Sequence, residues 1–181
     1  MPGRSWEAEM AKYRHLNDFT HRAGTTPVPK YYADALVALA QDNPNIVSLT
    51  GDVAPAPESD VFRNRFLEHF STPAFAEANT VGMAAGMARC GDMPFVHSFS
   101  VFLIRRGVDQ VAMQIAYSLL NVKLVGFLPG LTTLLGASQQ VVDDLVLMWA
   151  LPNMTIIEPS GACQIEAALR ALPHSTDPFI C

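Results

Sequence analysis

The run Phe75-Ala76-Glu77-Ala78-Asn79-Thr80-Val81-Gly82-Met83-Ala84-Ala85-Gly86-Met87-Ala88 sets one carboxylate directly ahead of a helix of small and apolar residues. An acid at that point lies at the positive end of the helix dipole. Among apolar neighbours its charge is costly to desolvate unless a polar group meets it. Glu77 is therefore the residue whose chemistry needs explaining. Gly82 and Gly86, four apart, share one helix face. Glycine weakens a helix, so a close backbone approach is the reason to keep both, within the domain or across a subunit interface. His97 ends an apparent strand nearby, either as a hydrogen-bonded strand-end histidine or as a group near the site. Asp109-Gln110 and Asp143-Asp144 sit in helical patterns and read as solvated faces or caps. The chain carries no Walker loop, GxGxxG turn, GxSxG elbow or HExxH helix. Its three cysteines, Cys90, Cys163 and Cys181, are odd in number, and their spacings fit neither a disulfide framework nor a zinc site. No metal site is expected on this chain, and the cysteine usage reads as a reducing, cytoplasmic setting.

The elements that must position Glu77 alternate along the chain. Helices are expected over Tyr31–Asp42, Ser59–Phe70 (with Phe62, Phe66 and Phe70 on one face), Glu77–Cys90, Val101–Leu119, Gln140–Ala150 and Ala162–Leu172. Short apolar strands are expected at Ile46–Thr50, Phe95–Ser98, Lys123–Phe127, Thr155–Glu158 and Phe179–Cys181, with an extended piece before Glu77. Strands alternating with helices imply βαβ units: an α/β, doubly wound, mostly parallel six-stranded sheet with helices on both faces. Sites in such sheets form at the carboxyl ends of strands. That nominates Gly51-Asp52, the Glu77 turn, Ser98-Phe99 and the loop after Phe127. Residues 1–27 are expected to form a separate N-terminal helix and linker, with Trp6, Met10, Tyr13, Leu16 and Phe19 as one apolar stripe. Residues 28–181 form the domain. Cys181 falls inside an apparent strand, an edge that a further domain or a partner would have to cover.

Half of the 181 residues are hydrophobic, 16% are charged and mean hydropathy is +0.19, which is apolar for a soluble domain. No apolar run reaches the roughly 18 residues of a membrane helix. Extra surface buried against other subunits is the better account. The charged N-terminus does not read as a signal peptide. A net charge of −5 offers no basic footprint for nucleic acid.

From about Thr26 to Cys181 the chain resembles the pyrimidine-binding domain of transketolases, nearest to the split type whose halves are separate chains. The resemblance rests on pieces standing in order: Gly51-Asp52; Phe75 to Asn79 with Gly82 through Ala88; Pro94-Phe95-Val96; Phe99-Ser100-Val101-Phe102; Asp109-Gln110; Ile115-Ala116-Tyr117; Asn121-Val122-Lys123; and Leu151-Pro152-Asn153-Met154. It implies thiamine diphosphate as cofactor. The diphosphate and its divalent metal, magnesium, would be held by a diphosphate-binding partner subunit, in a cytoplasmic dimer of heterodimers. It implies that Glu77 faces the pyrimidine nitrogen opposite the exocyclic amine, sharing a proton that favours the imino form of the ring. Phe99 and Phe102 match the aromatic pocket around that ring, and Asp52 matches a supporting acidic residue. The Gly82/Gly86 helix would lie near the dimer interface.

The departures fall on the substrate side. Where transketolases carry a Gly-Glu-Asp-Gly loop and Thr-His-Gln, this chain has Leu134-Leu135-Gly136-Ala137-Ser138-Gln139-Gln140, with Gln139 in the place of the substrate-contacting histidine. Leu128-Pro129 replaces a His/Asp region, and the phosphate-binding serine expected after Gly51-Asp52 is either replaced by Ala56 or displaced. Gln139, His97 and Arg105 are the substrate candidates, with Arg105 and Arg106 as either a replacement anion contact or a solvated helix face. The expected function is transfer of a two-carbon ketol unit between small-molecule donor and acceptor, with an altered pocket. The alternatives are a 2-oxo acid dehydrogenase β-like subunit, a deoxyxylulose-phosphate-synthase-like subunit, or a catalytically degenerate paired domain.

Overall fold

The runs Ile46-Val47-Ser48-Leu49-Thr50 and Lys123-Leu124-Val125-Gly126-Phe127 are too short for a stable helix and rich in residues that favour extended backbone. They form β1 (Ile46–Thr50) and β4 (Lys123–Phe127). The computed structural model describes residues 30–51, 58–131, 133, 135–174 and 179–180. The N-terminal stripe, Asp52 and Ala56 lie outside these residues. The remaining elements are α1 (Tyr31–Asp42), α2 (Ser59–Arg65), β2 (Phe70–Ser71), α3 (Glu77–Arg89), β3 (Met93–Phe99), α4 (Ser100–Gln110), α5 (Asp144–Trp149), β5 (Thr155–Ile156), α6 (Ala162–Ala171) and β6 (Phe179–Ile180).

The strands form one six-stranded sheet in the order β2-β1-β3-β4-β6-β5, and every pairing among them is parallel. The chain moves outward from β1 to β2, then returns past β1 to build β3 and β4. That reversal makes the boundary between β1 and β3 the switch point, where a crevice opens beyond the strand ends. Thr50 pairs with His97 at this boundary, and Phe99 pairs with Phe127 on the next strand.

The pleat assigns the two faces. Leu49, Val96 and Leu124 join Val81, Ala84, Leu103, Ile104, Ile115 and Met148 beneath α3, α4 and α5. Ile46, Phe95 and Val125 join Tyr32, Leu36, Phe62 and Leu169 beneath α1, α2 and α6. Alternation along β3 and β4 therefore delivers neighbouring residues to opposite cores. Fully buried Phe62 and Phe95 each contribute about 2–3 kcal/mol of apolar burial.

Three helices differ from the sequence expectation. The helix from Ser59 stops at Arg65, a 3-10 turn spans Leu67–His69, and Phe70 belongs to β2 opposite Ser48. The phenylalanines still reach one core, but Phe70 does so from the sheet edge, where strand pairing overrides the helical spacing. The long helix from Ser100 changes at Val111 into a π-helix through Ala116. The helix expected from Gln140 begins only at Asp144, because Val141 is tied to Gly130 by an antiparallel bridge.

Candidate active site

Two strand ends and two helix starts converge at the switch point. At the end of β1, a Cβ on Gly51 would lie 3.5 Å from the carbonyl oxygen of Ala74. The turn leading to Glu77 thus passes directly against β1. Ala74 holds φ +63°, and its carbonyl accepts a hydrogen bond from the Ala76 amide at 2.8 Å. This tight turn aims the first residue of α3, Glu77, inward. The Ala76 carbonyl accepts from both the Thr80 amide at 2.8 Å and the Thr80 hydroxyl at 3.0 Å, fixing the first helical turn.

Glu77 is 4% exposed. Its partner is Arg106, whose NH1 lies 3.0 Å from each carboxylate oxygen. The Arg106 side chain is itself half exposed, and its guanidinium carbon sits 4.0 Å over the centroid of the Phe102 ring. Phe102 and Arg106 are four apart in α4, which places them on one helix face. Phe99, buried at the end of β3, meets Phe102 edge-on with ring centroids 5.7 Å apart and planes at 84°. Glu77, Phe102 and Phe99 are thereby brought into one place. A flat group bearing an N–H already fits between the carboxylate and the aromatic face, since the guanidinium does so. The same arrangement suits the edge and face of a pyrimidine ring.

Gly126 sets the start of α4. A Cβ there would come within 3.1–3.2 Å of the Ser100 backbone and side chain, tighter than ordinary contact, so the bare position lets Ser100 rest closely on β4. Ser100 in turn donates to buried Asp144 at 3.0 Å, joining the start of α4 to α5.

His97 lies elsewhere. It shares the Phe95 side of β3, on the face opposite α3, and is fully buried. Its Nε2 lies 2.5 Å from the Tyr32 hydroxyl, and its Nδ1 lies 3.2 Å from the Leu49 carbonyl and 3.3 Å from the Ser48 hydroxyl. An Nδ1–H donating to Leu49, with Nε2 accepting from Tyr32, satisfies this set. Burial pushes its pKa down from 6.5 to about 4, opposed by the Leu49 hydrogen bond. This is the hydrogen-bonded strand histidine of the two sequence readings, separated from Glu77 by the thickness of the sheet.

Arg105 points away from Glu77 and bonds Asp143 Oδ1 through Nε at 3.2 Å and NH2 at 2.8 Å. That guanidinium holds the Asp143 carboxyl below its ordinary range. Gln139 ends a 3-10 turn, Ala137–Gln139, and accepts from the Ser138 hydroxyl. Around the aromatic pair, Leu128, Leu135 and Val141 pack with Phe99, Val101 and Phe102 as an apolar cluster. Gly82 approaches the Gln114 side chain of the same chain, where a Cβ would stand 3.2 Å from Oε1, while Gly86 faces nothing within 4 Å. Among the described residues no cluster of His, Cys, Asp and Glu could hold a metal ion, and no helix is long and apolar enough to cross a membrane. Sequence reasoning paired Arg105 with Arg106 as an anion contact or a solvated helix face and put only Arg105 among the substrate candidates, whereas it is Arg106 that meets Glu77. The four-residue step from Phe102 to Arg106 was the available signal, but Arg105 at three residues is also within one turn.

Residues 26–181 match the family model described as the transketolase, pyrimidine binding domain. The chain is 38% identical over 151 residues to the 6-deoxy-6-sulfo-D-fructose transketolase subunit of Clostridium sp., covering 82% of this chain and 47% of that protein. It is 34% identical over 150 residues to a putative transketolase C-terminal section of Methanocaldococcus jannaschii, covering 82% of this chain and 48% of that one. A solved structure titled as a split gene transketolase, inactive beta4 tetramer, is similar with a TM-score of 0.74 and 36% identity, over 83% of this chain and 49% of the other. The chain spans about half the length of the curated relatives it matches. By a family match over most of its length and a parallel α/β fold of the same kind, the chain belongs to the transketolase family, as a pyrimidine-binding domain.

Proposed function

We propose that this chain is the pyrimidine-binding half of a split, transketolase-like enzyme that moves a two-carbon ketol unit on thiamine diphosphate. In this reading a partner subunit holds the diphosphate and its magnesium ion, and the two chains assemble as a dimer of heterodimers in the cytoplasm. One observation carries it: a 4%-exposed carboxylate at a helix start, with an aromatic face beside it, at the switch point of the sheet. The relatives named as a transketolase subunit and as a transketolase C-terminal section support the split arrangement.

Each residue has a part in this reading. Glu77 Oε holds a proton in common with the pyrimidine nitrogen that faces it, within hydrogen-bond reach and away from water. Phe102 offers the ring a stacking face, and Phe99 braces Phe102 from the edge. Asp52, which follows Gly51 at the β1 end, gives secondary support to the cofactor. Bound thiamine diphosphate supplies the carbon nucleophile that no side chain here provides.

On the substrate side, Leu128 and Leu135 line the approach to Phe99 and Phe102, where a more polar loop is usual for the family. Gln139 is the candidate contact to a substrate hydroxyl or carbonyl. This apolar wall also favours a second reading, in which the donor is an apolar 2-oxo acid. The test is reconstitution with a diphosphate-binding subunit, cofactor and magnesium. We expect no turnover by this chain alone and ketol transfer by the pair. Turnover by the chain alone, or a functional pair untouched by Glu77→Gln, would overturn the assignment.

A further inference from the structure

Arg106 makes, with this chain's own residues, the two contacts expected of the pyrimidine. Its NH1 donates to both oxygens of Glu77 at 3.0 Å, and its flat guanidinium stacks 4.0 Å above Phe102. One planar cation covers the carboxylate and the aromatic face together. A second flat N–H donor cannot use the same face and the same carboxylate edge while the guanidinium is there. Nor is Arg106 fixed in a dry interior, since half of its side chain is exposed. One helical turn on, Asp109 presents an exposed carboxylate at the i+3 position, able to receive a guanidinium that swings outward.

We propose that Arg106 is a latch on Glu77: an internal counter-ion that stabilises the buried carboxylate and must release it before a pyrimidine can bind. The proposal rests on the pyrimidine-binding reading and adds a regulated step to it. The physical logic is that a carboxylate this buried is costly to leave unpaired. A half-exposed arginine supplies the partner at little loss when it leaves, because outside it regains water. Ring binding then exchanges one partner of Glu77 for another and never strips the charge bare. The latched fraction reduces apparent affinity in proportion to the population that is open.

The test uses the full chain and, as probe, the free hydroxymethyl aminopyrimidine that forms the cofactor's ring, at near-neutral pH, where the ring nitrogen can take up the proton it shares with Glu77. Binding is read by calorimetry and by ligand-observed NMR, with no catalysis involved. Arg106→Met is expected to tighten binding about tenfold if the latch is closed nine-tenths of the time. Arg106→Lys, which keeps the charge but lacks the flat face, guards against misfolding of the first variant and is expected to fall between it and the wild type. Added salt should tighten binding to the wild type relative to Arg106→Met by screening the half-exposed pair. Equal or weaker binding by both variants, with Glu77→Gln still weakening it, overturns the latch and leaves the pyrimidine-binding reading standing. Failure of the wild type and both variants to bind the probe, with failure of the reconstituted pair to bind thiamine diphosphate, overturns both.

Discussion

Glu77 and His97 are both buried ionisable groups within the switch-point region, yet the chain treats them in opposite ways. His97 lies on the α1 face, with its two nitrogens met by Tyr32, Ser48 and Leu49. All of those partners are themselves buried. Glu77 lies on the α3 face, and its partner is a half-exposed arginine at the rim. A polar group satisfied wholly from inside belongs to the architecture. A polar group whose partner can leave is available for chemistry. The two groups lie on opposite faces of the sheet, Glu77 with the helix that packs on one core and His97 with the other.

The largest expected effect tests the Glu77 side. In the reconstituted pair, Glu77→Gln should slow exchange of the cofactor's thiazolium proton by about 10²–10⁴-fold, the range for removing a positioned acid or base. Exchange is measured in deuterated buffer, and an unchanged rate removes Glu77 from the proton relay.

The His97 side is tested by pH. Its folded pKa of about 4 lies below the ordinary 6.5, so the folded state binds fewer protons in that window than the unfolded chain does. The stability from a neutral His97 is complete above pH 6.5 and is lost as pH falls toward 4. The loss is roughly 3 kcal/mol across the window, because a tenfold change in proton affinity corresponds to about 1.4 kcal/mol. Urea unfolding as a function of pH should show this slope, and His97→Gln, less stable throughout, should lose it. A slope that survives the substitution would assign the effect to other groups.

A smaller effect should separate the two faces. Gly126→Ala forces Ser100 away from β4, at a cost of about 1–3 kcal/mol for an overpacked contact. The displacement falls on the start of α4, and so on Phe99 and Phe102, while the Tyr32–His97 contact lies across the sheet. NMR should therefore show shifts at Phe102 and Arg106 exceeding those at His97. Equal perturbation of both faces would mean that the two regions are mechanically one.

Much of the frame was legible because its signals are local. The bounds of α1, β1 and β4 follow from apolar runs cut by Asn43-Pro44-Asn45, Gly51 and the Leu128-Pro129-Gly130 turn. The errors came where tertiary pairing decides. Phe62, Phe66 and Phe70 have helical spacing, but Phe70 gains a ladder partner in Ser48 by leaving the helix. Nothing in the sequence around Gln140 announces that Val141 bonds back to Gly130. In the site, Glu77, Phe99 and Phe102 could be nominated because their order in the chain resembles a family. Arg106 could not be separated from Arg105 without knowing which side of α4 faces α3. That side is set by Gly107, where a Cβ would lie 3.4 Å from the Val81 side chain.

The bridge between Gly130 and Val141 has one more consequence. The Val141 amide donates to the Gly130 carbonyl at 3.1 Å and so ties the two ends of the intervening segment to each other. Its path out of β4 and into α5 is fixed whatever lies between. Such a pinched excursion behaves as a cassette. Its sequence can drift without moving β4 or α5, provided that the apolar contact of Leu135 with the aromatic pair is kept. This segment is a place where sequence can change beside the candidate site while the strand and helix that flank it keep their positions.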